Sequence, residues 1–302
     1  MNSIKIGVSP IAWLNDDMPQ LTSHISVDQC LSDVEKIGFN GVENCGSFPK
    51  ESRKIKKLFT KYNLKFSGGW YSGSLLRQSA IKEYNEMKSN LKVYESMKTK
   101  NIAYCECTKS IQSKSVGLGF KPNLDRSEKN FFFQRINDLS RLVYDNHGVN
   151  ISYHHHMGTV IQNENEIDLL MNSTSDSLKL LLDTGHLIFA KIDPVSIFKK
   201  YKKRISHIHF KDIRKKILNI SIKKNYSFKK SFLSGVFTVP GDGDYDFRSI
   251  MGLIKKNNYN GWIIVEAEQD PIKYDPFNYS LKGFDYIRQL LKLHKQRDKL
   301  KK

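Results

Sequence analysis

The segment LKLLLDTGH, residues 178–186, joins a short apolar run to an abrupt polar end. An apolar run of this length, followed along the chain by polar residues, is typical of a strand that is buried on both faces. Side chains alternate between the two faces of a strand, so Asp183 shares a face with Leu181 and Lys179. The segment therefore predicts a buried strand of a parallel sheet, with a carboxylate at its carboxyl end.

Seven further stretches read as strands, and helical patterns separate them. The strand candidates are Lys5–Trp13, Gly41–Cys45, Lys65–Tyr71, Asn101–Cys107, Asn150–His156, Leu178–Thr184, Ile205–Lys211 and Trp262–Glu268. The helix candidates are Val27–Ile37, Glu51–Tyr62, Ala80–Met97, Glu128–His147, Glu164–Met171, Pro194–Tyr201, Phe247–Asn257 and Phe277–Leu293. Alternation of strand and helix implies parallel pairing through right-handed crossovers. Eight such units in about 300 residues predict a closed (β/α)8 TIM barrel.

An open doubly wound sheet is the main rival architecture, and two observations weigh against it. The stretch SPIAWLNDD after the first strand lacks a glycine-rich dinucleotide turn, and no linker rich in Pro, Gly or Ser divides the chain. We expect one barrel domain over residues 1–302. It has a long connection at about 212–246, which contains a helix, and it ends in a basic tail at about 294–302. Long excursions of this kind in a compact domain are usually lids or binding loops.

Composition excludes several classes of protein. The chain has 302 residues, of which 39% are hydrophobic and 11% aromatic, and its formal net charge is +18. This apolar content is enough for a packed core, and no stretch approaches the ~20 apolar residues of a membrane span. The lysines are spread over expected helix surfaces rather than concentrated in a patch, so we expect no nucleic-acid partner.

The amino-terminal stretch lacks a secretory signal pattern, so we expect a cytoplasmic protein. The four cysteines are too few for a disulfide framework in a chain of this length. We expect Cys30, Cys45, Cys105 and Cys107 to be free thiols that are mainly buried.

Polar side chains gather at the carboxyl ends of the last four strands, where a β/α barrel keeps its active site. The fifth strand ends in HHH at 154–156, and the sixth in DTGH at 183–186. The seventh places His207, His209 and Lys211 on one face, and the eighth places Glu266 and Glu268 on one face. Buried imidazoles and carboxylates are costly without partners, whereas a divalent cation would stabilise them together. Mixed nitrogen and oxygen ligands suit Mn, Co, Fe or Zn better than Ca or Mg.

These motifs resemble the sugar isomerase/epimerase superfamily with the xylose isomerase-like barrel. The superfamily motifs are DTGH at 183–186, HIHFKD at 207–212, PGDG at 240–243 with Asp246, and GWIIVEAEQDP at 261–271. A narrower resemblance, to the inosose dehydratase family of myo-inositol catabolism, rests on SPIAWLNDDMP at 9–19, GFNGVE at 38–43, CECTKSIQ at 105–112, YHHHMGT at 153–159 and GVFTVPGDG at 235–243. The resemblance covers the chain from about Ile4 to Leu293.

The resemblance implies a metal held by residues of the last four strands. Carried over by motif, the ligands are Asp183, His209 and Glu266. Where the superfamily commonly has Glu on the fifth strand, this chain has His154, so the fourth ligand is His154 by alignment or His156 by the shared face of the strand. The resemblance also implies Mn or Co as the metal and glutathione as a cofactor.

The implied reaction is the dehydration of 2-keto-myo-inositol, a polyol ketone, to a trihydroxycyclohexane-dione. Such a reaction needs a general base and a general acid within hydrogen-bond reach of the substrate. Candidates for the base are Glu266, Glu268 and a histidine of the fifth strand, and His186 or Lys211 would assist carbonyl polarisation or hydroxide departure. Glu106 and Arg214 are candidates for substrate binding.

Two alternatives share the barrel. A ketose isomerase or epimerase would form the same enediolate and return the proton, and a DNA-repair endonuclease would need further His and Glu ligands and basic loops. Superfamily barrels often form dimers or tetramers, so a homo-oligomer remains open, although no stripe of residues identifies an interface.

Overall fold

The computed structural model describes residues 4–299 of the chain, with side chains through residue 293. Parallel strands close into a barrel in the order β1-β10-β7-β6-β5-β4-β3-β2, which confirms the predicted fold. The barrel strands are β1 Lys5–Val8, β2 Gly41–Asn44, β3 Lys65–Gly73, β4 Asn101–Glu106, β5 Asn150–His154, β6 Lys179–Asp183, β7 Ile205–Phe210 and β10 Trp262–Val265. Two short strands outside the barrel, β8 Asp212–Ile213 and β9 Phe237–Thr238, pair with each other in antiparallel fashion.

Helices surround the barrel and extend into the long connection. They are α1 Val27–Ile37, α2 Ser52–Lys61, α3 Ala80–Ser96, α4 Arg126–His147, α5 Glu164–Asn172, α6 Thr184–Phe189, α7 Pro194–Tyr201, α8 Lys215–Lys223, α9 Phe228–Leu233, α10 Arg248–Lys256 and α11 Pro276–Lys299. Gly38 and Gly148 end α1 and α4 in the left-handed conformation, with φ of 96° and 60°. Residues 300–302 of the predicted basic tail lie outside the described residues, and the helical backbone of α11 continues through Lys299.

The register of the central strands sets the site. The sixth strand is buried from Leu180 through Asp183, which fits a strand covered on both faces. Asp183 of β6 pairs in register with His209 of β7, and Val265 of β10 pairs with Phe210 on the other side of β7. The carboxyl ends of β6, β7 and β10 therefore meet at one point of the barrel rim.

Three strands end two or more residues earlier than predicted. The first stops at Val8, because Pro10 has no N–H to give to a neighbouring strand and begins a short 3-10 turn, Pro10–Ala12. The fifth stops at His154, since the N–H of His156 donates to the carbonyl of Ile161 and closes a loop. The eighth barrel strand stops at Val265, so the predicted acidic residues of its end lie just beyond it.

The long connection after β7 contains α8 and α9, and so confirms the helix predicted there. It has its own small apolar core, formed by residues of the connection together with three from the barrel loops. That core contains Leu118, Met157, Phe189, Ile213, Leu218, Phe228, Val236 and Phe237. The excursion is therefore a packed part of the barrel mouth.

The cysteines are free, as expected: Cys30, Cys45 and Cys105 are buried and Cys107 is half-buried. No helix in residues 4–299 has the length and apolar character that crossing a membrane requires.

Asp212 organises the loop that follows β9. Its carboxylate is fully buried and accepts four backbone N–H groups, from Ile213, Gly241, Gly243 and Tyr245, at 2.8–3.1 Å. A Cβ on Gly243 would lie 2.4 Å from the carboxylate oxygen, so this position needs glycine. The loop's conformation depends on this one side chain.

We expect Asp212→Asn to lower the free energy of unfolding by about 1.5–3 kcal/mol, because an amide offers one acceptor oxygen and turns an NH2 group toward N–H donors. Denaturant unfolding followed by circular dichroism measures the loss. The matched control is Asp244→Asn, since that exposed carboxylate accepts a single N–H, from Lys215. Equal losses in the two variants would contradict this role of Asp212.

Candidate active site and metal centre

A cavity of about 520 Å³ opens at the carboxyl ends of the strands. This volume lies within the range of small-molecule sites. Its polar and aromatic lining comes from the ends of both halves of the barrel, and includes Asp16, Asp17, Glu43, Trp70, Gln112, His154, His156, His209, Glu266 and Glu268. The cavity is thus where the predicted site residues would act.

Four predicted metal ligands converge at this cavity: His154, His209 and Glu266 line it, and Asp183 lies buried against them. His209 Nδ1 lies 3.1 Å from Glu266 Oε2 and 3.6 Å from Asp183 Oδ2. His154 Nε2 lies 3.6 Å from the same Asp183 oxygen. The ligand atoms of His154, Asp183 and His209 all fall within 4.8 Å of one another, as a shared cation would require.

Two of these atoms make no hydrogen bond to any described residue although they are fully buried: Asp183 Oδ2 and His209 Nδ1. A buried polar atom without a hydrogen bond is costly and calls for an explanation such as a bound ion. Lys211 Nζ, 3.4 Å from Asp183 Oδ2, supplies part of the counter-charge. Imidazole nitrogen together with carboxylate oxygen is a donor set that suits first-row divalent metals. The residues present therefore fit a divalent cation.

Charge in this region favours a positive group. Burial would lower the pKa of His209, but the carboxylates of Glu43 and Glu266 outweigh burial and hold that pKa well above its ordinary value. Burial would likewise raise the pKa of Asp183, yet the Lys211 charge holds it well below its usual range. The carboxylates thus stay ionised in a buried space.

The position of His154 differs from that of His156. His154 Nδ1 donates to the carbonyl of His155 at 2.7 Å, which leaves Nε2 unprotonated and directed toward Asp183. His156 points instead toward Glu268, with 3.8 Å between Nε2 and Oε1. The geometry separates the two histidines that the strand pattern left as alternatives.

Lys211 is fully buried and faces three carboxylates. Its Nζ lies 2.5 Å from Glu266 Oε1, 2.8 Å from Glu268 Oε2 and 3.4 Å from Asp183 Oδ2. Burial would lower the pKa of Lys211, but these carboxylates hold it above its ordinary value. The stem of Lys211 packs over Gly185, where an added Cβ would lie 2.6 Å from Cγ.

A second group of titratable side chains lies beside the first. His186 Nε2 is 3.1 Å from Lys211 Nζ, and the His186 and His156 rings are 3.9 Å apart between centroids. Phe228 of α9 packs against both rings, at 5.0 Å and 6.0 Å. The long connection therefore supplies an apolar wall to this part of the site.

Two candidates for substrate binding lie apart from the cavity lining. Glu106 is fully buried and accepts the N–H groups of Leu76 and Thr108. Arg214 donates to the carbonyls of Gly235 and Phe237, and pairs with Asp242 at 2.7 Å. Both side chains hold loops in place, and a part for either of them in substrate binding stays a prediction.

Two of the lining residues that the sequence did not suggest contact the predicted histidines. Glu43, at the end of β2, accepts hydrogen bonds from His207 and His209. Trp70 of β3 packs edge-on against His154 and His156, and 36% of it is exposed. In the sequence, we looked for polar residues at the carboxyl ends of the last four strands. The same search at the ends of the first three strands could have found Glu43 in GFNGVE.

Solved structures of low sequence identity share the fold. The probable 3-DHS dehydratase AsbF from Bacillus anthracis superposes with a TM-score of 0.69 at 14% identity, over 94% of this chain and 99% of that one. D-allulose 3-epimerase from Methylomonas sp. in complex with D-allulose has a TM-score of 0.67 at 14% identity, over 96% of this chain and 98% of that one.

Curated relatives match the chain at higher identity and nearly full length. An inosose dehydratase of Clostridium tetani is 38% identical over 296 residues, which cover 95% of this chain and 97% of the relative. An inosose dehydratase of Mesomycoplasma hyopneumoniae (strain J) is 38% identical over 294 residues, covering 96% and 97%. The rhizopine catabolism protein MocC of Rhizobium meliloti is 34% identical over 289 residues, covering 95% and 89%.

The model of a family described as the xylose isomerase-like TIM barrel matches residues 31–290. This match, the closed barrel and the full-length relatives agree with one another. The chain therefore belongs to the xylose isomerase-like TIM barrel family and, within it, to the inosose dehydratases, which makes it a hydro-lyase.

Proposed function

We propose that this enzyme dehydrates 2-keto-myo-inositol (scyllo-inosose) to 3D-3,5/4-trihydroxycyclohexane-1,2-dione in myo-inositol catabolism, with a divalent metal. The observation that carries the proposal is the convergence of Asp183, His209 and Glu266, in which two buried ligand atoms have no hydrogen bond to a described residue. The cavity of about 520 Å³ suits a six-membered ring that carries hydroxyl groups.

The proposed metal ligands are Asp183, His209, Glu266 and His154. We choose His154 over His156 as the fourth ligand because its Nε2 lies 3.6 Å from Asp183 Oδ2 and within reach of the same ion as His209, whereas His156 Nε2 faces Glu268 at 3.8 Å. Mn or Co is the metal expected from the family, and a glutathione requirement stays a prediction. When bound, the cation would polarise the substrate carbonyl and stabilise the negative charge that develops as a proton leaves the adjacent carbon.

Glu268 is the proposed general base. It lines the cavity beside Glu266, and its carboxylate clusters with His156 and His186, whereas His154, Asp183 and His209 form a separate group. Lys211 Nζ donates to its Oε2 at 2.8 Å. The Glu268 carboxylate takes the proton from the carbon next to the ketone, and the electron pair forms the enediolate. Lys211 lies buried behind Glu268, 3.1 Å from His186 Nε2, and its positive charge lowers the cost of that negative charge.

His156 is the proposed general acid. Burial would lower its pKa, but the hydrogen bond and charge of Glu268 raise that pKa, so the imidazole can carry a proton. The C–O bond to the β-hydroxyl breaks, the hydroxyl leaves as water with the His156 proton, and the resulting enol tautomerises to the dione. The 3.8 Å separation of His156 Nε2 and Glu268 Oε1 lets the proton gained by Glu268 restore His156.

Asp183→Asn tests the metal centre. We expect loss of bound Mn2+ and of dione formation from inosose. The amide removes the negative charge of the proposed ligand that lies 3.6 Å from both His154 Nε2 and His209 Nδ1. Metal analysis of the purified protein and an ultraviolet assay for the dione measure the two losses, and Asp246→Asn, at an exposed carboxylate, is the control. Retained metal with full turnover in Asp183→Asn would contradict the proposed metal site. Isomerisation of a ketose by the wild type, without turnover of inosose, would favour an isomerase.

Glu268→Gln and Glu266→Gln separate the base from the ligand. We expect Glu268→Gln to bind Mn2+ like the wild type and to lose about 10²–10⁴-fold in kcat, since the amide cannot accept the proton. Glu266→Gln should instead weaken Mn2+ binding. Equilibrium dialysis and steady-state kinetics distinguish the variants, and equal metal loss in both would show that Glu268 is a ligand.

A further inference from the structure

Glu43 lies at the end of β2, on the far side of His209 from the proposed metal. Only 4% of it is exposed. One carboxylate oxygen, Oε1, lies 2.8 Å from His207 Nε2 and 3.1 Å from His209 Nε2. A carboxylate accepts hydrogen bonds and cannot donate when ionised, so both imidazoles donate through Nε2.

Two imidazole nitrogens share one buried oxygen of Glu43. That oxygen can accept a hydrogen bond from each of them, whereas a protonated carboxyl could donate to only one. Glu43 therefore presents an acceptor to His209 Nε2.

The consequence for His209 concerns its other nitrogen. With Nε2 donating to Glu43, Nδ1 is the nitrogen left for a metal. That atom faces Glu266 Oε2 at 3.1 Å and Asp183 Oδ2 at 3.6 Å, and makes no hydrogen bond among the described residues. Glu43 thus selects the nitrogen that is directed at the buried carboxylates.

The cluster of Glu43, His207 and His209 could also be taken for a second metal site, since its ligand atoms lie within 4.8 Å of one another. Hydrogen bonding argues otherwise. The three ligand atoms there already satisfy one another, and His207 Nδ1, which has no hydrogen bond to a described residue, is not one of them. Asp183 Oδ2 and His209 Nδ1, which also lack one, lie on the opposite side of the His209 imidazole.

We propose that Glu43 is a positioning residue, which acts through His209 to hold the imidazole with Nδ1 free and directed at a divalent cation. This inference rests on the metal centre of the proposed function. A carboxylate behind a metal-binding histidine fixes the ring's tautomer and orientation and makes the ligand more basic. His207 shares the same oxygen and holds Glu43 from the second side.

The test is Mn2+ binding to Glu43→Gln, measured by the electron paramagnetic resonance signal of free Mn2+ during titration with MnCl2. We expect an affinity about 10–100-fold weaker than that of the wild type. Dione formation should recover to within a few-fold of wild type at saturating Mn2+, because Glu43 is not proposed to take part in proton transfer. His207→Gln keeps the bond from Glu43 to His209, so its affinity should fall less.

The matched control is Glu83→Gln. Glu83 is also a fully buried carboxylate, which accepts the Ser74 N–H and the Tyr104 hydroxyl away from the cavity. Its substitution should lower the Tm and leave Mn2+ affinity unchanged. Thermal melts of all the variants separate loss of stability from loss of affinity.

Four results would overturn the inference. The first two are an unchanged Mn2+ affinity in Glu43→Gln and a low kcat of that variant that saturating Mn2+ does not restore. The third is binding of two Mn2+ equivalents per wild-type chain, of which Glu43→Gln loses one. The fourth is a larger loss of Mn2+ affinity in His207→Gln than in Glu43→Gln. Failure of the wild type to bind Mn2+ would instead sink the proposed function, so the two failures are distinguishable.

Discussion

A buried ammonium needs its counter-charges in place, because a buried ion without a partner costs several kcal/mol. Lys211 follows β7, and its three carboxylates come from the ends of β6 and β10 on either side. Three negative charges against one positive charge leave an excess, which a bound cation can neutralise. Charge balance at the mouth of the barrel therefore depends on closure of the barrel, because the ion pairs of Lys211 form only when the strands are in register.

The sequence carried most of the fold, because apolar runs with polar ends mark buried parallel strands wherever they occur. The same rule indicated Asp183, His209 and Glu266, which the structure brings together. It could not choose between His154 and His156, since both share a face if the strand continues. The strand ends at His154, and a loop bond from the N–H of His156 then sets the direction of each ring.

The partners of a residue at a strand end could not be predicted from strand periodicity. Glu43 meets His207 across 164 positions of the chain, so only closure of the barrel brings them together. Glu106 shows the converse, because its place at a strand end is right for a site residue while its carboxylate is taken by two backbone N–H groups. The period of a strand gives the face of a side chain, and the partners on that face depend on the loops.

The wall formed by Phe228 stands on a segment with its own apolar core, outside the strands that carry the polar groups. Chemistry and shape selection are thus encoded in separate stretches of the gene. Changes in the excursion can admit differently substituted rings while the reactive groups stay where they are. An enzyme built in this way can change its substrate range while it keeps the same reaction.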